Sequence, residues 1–199
     1  MPSLHTRKCD VSKESECREL YEWIGLDFPR MNILVNNAGI QRRIDFRKGL
    51  EDLSGEGDEI EINFRSQVYL TARFIPLLSR QEHSAIVNVS SGLGFAPMAA
   101  FPVYSATKAA IHSFSLSLRH QLKDTAIRVF EVMPPIVHDT ELKGKPLERN
   151  ERSISALEMA DAIVKGMASD RYEIAAGTAQ SLVRASRKDL DTAFKSING

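Results

Sequence analysis

Tyr104 and Lys108 are the pair from which chemistry can first be argued in this 199-residue chain. They stand four apart in a stretch, Tyr104 to Leu122, that reads as a helix, so phenol and ammonium share one face. An ammonium beside a phenol favours the phenolate, which predicts a tyrosine pKa below its reference of about 10. Such a group exchanges a proton with a carbonyl or an alcohol near neutral pH. Taken alone, a Tyr-x-x-x-Lys pair is more readily a surface coincidence. Ser91 stands thirteen residues earlier, just past an apolar run ending at Val89. Its hydroxyl either holds a substrate oxygen or is a simple turn serine.

The surrounding elements decide whether these side chains can meet. Short apolar runs alternate with longer amphipathic segments, a pattern of βαβ units around a parallel sheet. Strands are predicted at Leu4 to Cys9, at Ile33 to Val35 (buried on both faces), at Ala85 to Val89, at Ile127 to Val132 and at Tyr172 to Ala175. Helices are predicted from Ser12, as cap, to about Leu26, and over Ile60 to Leu78, Tyr104 to Leu122 and Glu158 to Ala168. Asn36-Asn37-Ala38-Gly39 reads as a tight polar turn. The stretch His138 to Ser153 reads as a mobile polar loop, and Ser186 to Gly199 as a frayed helix. Ser91 then lies at the C-terminal end of a strand, where ligands bind in open α/β sheets.

Composition narrows the class. Hydrophobic residues make up 43% and charged residues 26%, an ordinary globular balance consistent with one domain over residues 1–199. The formal net charge is zero, which gives no electrostatic reason for a nucleic-acid or anionic-membrane partner and leaves self-association easy. No apolar run approaches a membrane span, and Met1 to Asp10 does not read as a secretory signal. Cys9 and Cys17 are expected as free thiols in a cytoplasmic protein. The five histidines, His112 among them, show no metal-ligand spacing, and His112 is expected at the surface or an interface.

Three segments in order, Asn36-Asn37-Ala38-Gly39, then Ile86-Val87-Asn88-Val89-Ser90-Ser91, then Tyr104-Ser105-Ala106-Thr107-Lys108, resemble the short-chain dehydrogenase/reductase family. The resemblance runs from about Leu4 to Val137. It implies an α/β, Rossmann-like, doubly wound parallel sheet and a nicotinamide-dependent oxidoreductase acting on a small-molecule carbonyl or alcohol, as a homo-oligomer. It implies that Tyr104 is the acid/base, that Lys108 tunes it and holds the nicotinamide ribose, and that Ser91 positions the substrate carbonyl. Asn63, otherwise an exposed helix residue or a satisfied buried amide, is implied as the fourth catalytic member, holding a water in the proton relay. Asp10 and Val11 are implied beside the adenine, and Asn36, Asn37, Ala38 and Gly39 on the adenosine side. Pro134 and Val137 are implied at the carboxamide. The cofactor is NAD or NADP.

The chain also departs from that pattern. The family opens with a strand, a Gly-rich turn that cradles the pyrophosphate, a helix and a second strand. Here the first glycine is Gly25, so the sheet is expected to be incomplete, lacking its first two strands and the Gly-rich turn, with impaired cofactor binding. In the family order 3-2-1-4-5-6-7 the Leu4 strand then lies apart from the Ile33 strand, or moves beside it. Pro135 replaces a usual glycine, and Thr140 is one residue farther along than usual. Phe95, Met98, Phe101 and Val103 line an apolar substrate pocket or simply pack beneath their loop. A second function class stays open, a truncated non-catalytic family member acting by homo- or hetero-dimerisation.

Overall fold

Four apolar runs pair as the main sheet of the computed structural model, which describes residues 4–54, 57–140, 142 and 150–199. They are β1 (Ile33–Asn36), β2 (Ser84–Val89), β3 (Ile127–Met133) and β6 (Glu173–Ala175), all parallel in the order β1-β2-β3-β6. A small parallel pair, β4 (Ile136–Val137) with β5 (Ser153–Ile154), follows β3.

Helices cover both faces. They are α1 (Glu14–Asp27), α2 (Ser66–Leu78), α3 (Pro102–Gln121), α4 (Ala156–Ala168), α5 (Gly177–Lys188) and α6 (Leu190–Asn198). Alternation along the strands divides the core in two. Ile86 and Val129 join Phe74, Leu77 and Leu78 of α2 and Leu118 of α3. Ala85, Val87, Phe130 and Val132 face the other way, towards Met159 of α4 and Ile174.

Two predicted strands behave differently from expectation. Leu4 to Cys9 forms no strand, and it does not lie beside β1. Leu4 is 89% exposed, and a strand exists only through a neighbour that takes its peptide groups. The run at Ile33 is a strand, but at the edge of the sheet rather than buried on both faces, with Ile33 45% and Val35 52% exposed. Asn32 O accepts from Ala85 N–H at 2.8 Å, so by the two-residue period the peptide groups of Ile33 and Val35 point to the open side.

The helical signals are met with changes at their ends. The predicted cap Ser12 instead donates its hydroxyl to Asp10 Oδ1 at 2.7 Å, and α1 starts at Glu14 with no side-chain cap. The rod predicted from Ile60 to Leu78 contains a π turn, Glu61–Arg65, closed by Ser66 N–H bonding to Glu61 O. The tail is two helices rather than one frayed one. Asn198 in α6 donates to Pro97 O at 3.0 Å and accepts from Ala99 N–H at 2.6 Å, which ties it to the loop before α3. Half of the polar stretch His138 to Ser153 lies outside the described residues.

Candidate active site

Tyr104, Lys108 and Ser91 meet where the C-terminal end of β2 faces the first two turns of α3. Proline at the start of α3 suits a position whose N–H has no helical acceptor. Tyr104 is 5% exposed and Lys108 3%. The Lys108 Nζ lies 5.5 Å from the centre of the Tyr104 ring and donates to Val89 O at 2.7 Å. The Ser91 hydroxyl lies beside the Tyr104 phenol, lowering its pKa, and accepts from Leu93 N–H at 3.2 Å. Gly94 lets this loop lie flat on the helix, because a Cβ there would come 2.8 Å from the Lys108 carbonyl.

Asn63, inside the π turn, is fully buried. Its Oδ1 accepts from Ile40 N–H at 2.8 Å, and its Nδ2 donates to Ile40 O at 2.9 Å and to Thr107 Oγ1 at 3.2 Å. It therefore clamps the segment after Gly39 onto α3. Gly39 is enclosed by the same groups, since a Cβ there would lie 3.2 Å from Asn63 Oδ1 and 3.7 Å from Lys108 Nζ. One turn before Asn63, the buried Glu59 accepts from Arg42 N–H at 3.1 Å.

The electrostatics reverse one expectation. Burial pushes the Tyr104 phenol up to about 12, against the lowering effect of the Ser91 hydrogen bond, and the Glu59 charge adds to the rise. Burial also pushes the Lys108 ammonium down to about 8. Lys108 therefore does not loosen the phenol's proton as its position predicts. Removal of both groups from water decides the direction of both shifts. At neutral pH the phenol keeps its proton and is a donor.

The remaining predicted site residues fall into separate places. Val11, Asn36, Asn37 and Ala38 line one cavity of about 220 Å³ between α1, α2 and β1, together with Leu34, Gln67 and Phe74. Asn36 reaches away from it, donating to Asn88 Oδ1 and Thr71 Oγ1, each at 2.9 Å. Asp10 folds onto Ser12, whose two bonds hold its carboxyl below the usual range. Pro134 follows β3, and Val137 in β4 accepts the Thr140 hydroxyl at 2.9 Å. Phe95, one of the candidate pocket residues, packs at a tilt against His112 with ring centres 4.4 Å apart.

Sequence reasoning missed Thr107, Ser115 and Glu131. Thr107 sits within the Tyr-x-x-x-Lys segment itself. Ser115 accepts from Asn88 Nδ2 at 3.0 Å, a contact between residues 27 apart. Glu131 left one visible signal, an acid in the middle of the apolar run Ile127–Met133. His112, expected at the surface, instead bonds this fully buried acid.

With this geometry in place, known proteins supply the class. A family model described as short chain dehydrogenase matches residues 2–151. The chain belongs to the short-chain dehydrogenase family, and with it to the nicotinamide-dependent oxidoreductases. It is similar to an uncharacterized oxidoreductase, DltE, of Bacillus subtilis, 47% identical over 201 residues, covering all of this chain and 79% of that one. It is similar to the NADP-dependent 3-hydroxy acid dehydrogenase YdfG of Escherichia coli, 33% identical over 71% of this chain but only 57% of that protein. Among solved structures, a short chain dehydrogenase from Burkholderia cenocepacia in complex with NADP superposes with a TM-score of 0.81. Identity there is 22%, over 96% of this chain and 80% of that one, which speaks to the fold. No helix among the described residues is long and apolar enough to cross a membrane.

The donors fit one end of a nicotinamide cofactor. An ammonium carries three donors, and Lys108 spends one, on Val89 O, among the described residues. A ribose diol is the kind of acceptor that the other two can serve.

Proposed function

We propose that the protein interconverts a small carbonyl compound and its alcohol, with Tyr104 exchanging the proton at the substrate oxygen. The observation that carries this reading is the buried cluster in which one phenol touches Ser91 and stands a helical turn from Lys108. The nicotinamide supplies or accepts the hydride, and the protein supplies orientation and a proton.

In the reducing direction the Ser91 hydroxyl holds the carbonyl oxygen, and Tyr104 O–H donates to it as negative charge develops there. Burial, which keeps this phenol protonated, suits it to that step. Lys108 binds the nicotinamide ribose and replaces water beside the phenol. Asn63 keeps the Ile40 backbone against α3, closing the site from below. Asn36 to Gly39, with Asp10 and Val11, serve the adenosine side, and Pro134 and Val137 the carboxamide. NADP is the preferred dinucleotide, supported by the similarity to the NADP-dependent YdfG and to a serine dehydrogenase, 33% identical over 68% of this chain, that was solved with NADP+.

The test is Tyr104→Phe, assayed for NADPH consumption with a panel of ketones. Loss of positioned acid catalysis lowers kcat by roughly 10²–10⁴. NADPH should still raise the melting temperature, as any ligand of the folded state does. A variant that turns over at the wild-type rate removes Tyr104 from the chemistry.

A further inference from the structure

Three residues of α3 at successive turns, Tyr104, Lys108 and His112, face three consecutive residues at the end of β2. Tyr104 meets the Ser91 hydroxyl, and Lys108 meets Val89 O at 2.7 Å. The third rung reaches Ser90 through Glu131 of β3. Ser90 Oγ donates to Glu131 Oε1 at 2.5 Å, and His112 Nδ1 bonds Glu131 Oε2 at 2.7 Å. Glu131 is 0% and Ser90 1% exposed.

A carboxylate costs several kcal/mol to bury, so its position asks for a reason. Glu173 on β6 is the strand neighbour of Glu131, and with His112 the two carboxylates come within 4.8 Å of one another. That grouping resembles a cation site. The Arg187 guanidinium already bonds Glu173 at 2.5 Å, however, and both oxygens of Glu131 are taken by Ser90 and His112. The protein has filled its own cation position, and the buried acid is spent on joining β2 to α3.

We propose that Glu131, through Ser90 and His112, is a positioning residue that sets the register of α3 against the end of β2, and so holds Val89 O on Lys108 and Ser91 on Tyr104. Ser90 lies between the two contact points, and its N–H is already fixed to Val132 O at 2.8 Å. Its side chain is the remaining freedom, and Glu131 removes it. His112 fixes the same carboxylate from the helix that carries Tyr104 and Lys108. The group acts through its bonds to Ser90 and His112.

This builds on the Tyr104–Lys108 site, yet its test needs no turnover. Lys108 titrates near 8 because of burial, with no charged neighbour shifting it. The titratable groups around it are Tyr104 and His112 on its own helix, Glu131 on β3 behind Ser90 and, beyond the phenol, Glu59. Its midpoint can be followed by NMR of ¹³Cε/¹⁵Nζ-labelled lysine in the full chain, the signal being assigned by its loss in Lys108→Arg. Loosening the Val89 O bond withdraws support from the ammonium. Glu131→Leu should therefore lower the midpoint by about one pH unit, the value of one hydrogen bond. Glu131→Gln can still accept from His112 and bond Ser90, and should leave the midpoint where it is. Both Glu131 variants remove the same charge, so a difference between them reports the bonding and not the charge. A folded Glu131→Leu with the native midpoint overturns the proposal, and so does a Glu131→Gln that moves as far. If Glu131→Leu does not fold, Ser90→Ala decides, with a smaller fall in the same direction supporting the proposal and no fall overturning it. Because no cofactor is present, failure here leaves the hydride-transfer reading standing, and failure of that reading leaves this result intact.

Discussion

The buried meeting of β2 with α3 and the more open margin of β1 with α1 and α2 handle their buried polar atoms in opposite ways. In the first, Asn88 and Ser115 bond each other, and Ser90, Glu131 and His112 form a chain. In the second, both amide atoms of Gln67 and Asn36 Oδ1 are buried without a hydrogen-bond partner among the described residues. These residues border the cavity of about 220 Å³. Burial without partners costs stability, and burial with partners fixes geometry. The contrast separates a region whose buried polar side chains bond one another from a margin where several do not.

The largest effect expected on stability concerns Lys108. Its folded-state pKa is depressed from 10.5 to about 8, so below about 8 the fold carries the cost of a charged, buried amine. As pH rises from 8 to 10.5 the unfolded chain still binds the proton and the folded chain does not, so stability rises. Relative to Lys108→Met, the wild type should gain roughly 3 kcal/mol across that window. Urea melts of both proteins at pH 7 and pH 10 test this, and parallel curves would refute it. Above pH 10 the raised Tyr104 acts in the other direction, stability falling as pH climbs towards 12.

Next in size is a pair of substitutions with opposite signs. Asn88→Leu orphans Ser115 and removes an acceptor from Asn36, and should cost about 2 kcal/mol. Gln67→Leu removes a buried amide that has nothing to bond, and should stabilise by about 1 kcal/mol. Denaturant midpoints giving both the same sign would erase the distinction between the two regions. The smallest effect belongs to Val35→Lys on the half-exposed edge. Stability should change by no more than about 0.5 kcal/mol, while light scattering on standing falls, because a charged edge discourages strand pairing.

The Tyr104–Lys108 face of α3 was legible because local spacing decides it. Tyr104 and Lys108 fall four apart on a helix whatever the rest of the chain does, and β2 and β3 announce themselves as apolar runs. What the sequence hid depends on neighbours. Leu4 to Cys9 has strand-like composition but no adjacent strand, and Ile33 to Val35 reads as interior although it lies on a margin. The direction of the Tyr104 shift was hidden too, because spacing shows the ammonium and does not show how thoroughly both groups are removed from water. Glu131 and His112 are joined only by the docking of β3 under α3, a contact across 19 residues.

The π turn at Glu61–Arg65 carries a consequence for how this segment can change. One surplus residue in a helix rotates everything after it by about 100°. Within the turn, Asn63 is aimed at Ile40 and Thr107; after it, Leu70, Phe74 and Leu77 are aimed at the core. Excising any single residue between 61 and 65 would restore regular winding, and one rod could then no longer present its amide to the chemistry and its leucines to the interior together. A point substitution at the exposed Arg65 is tolerable in a way that a length change is not.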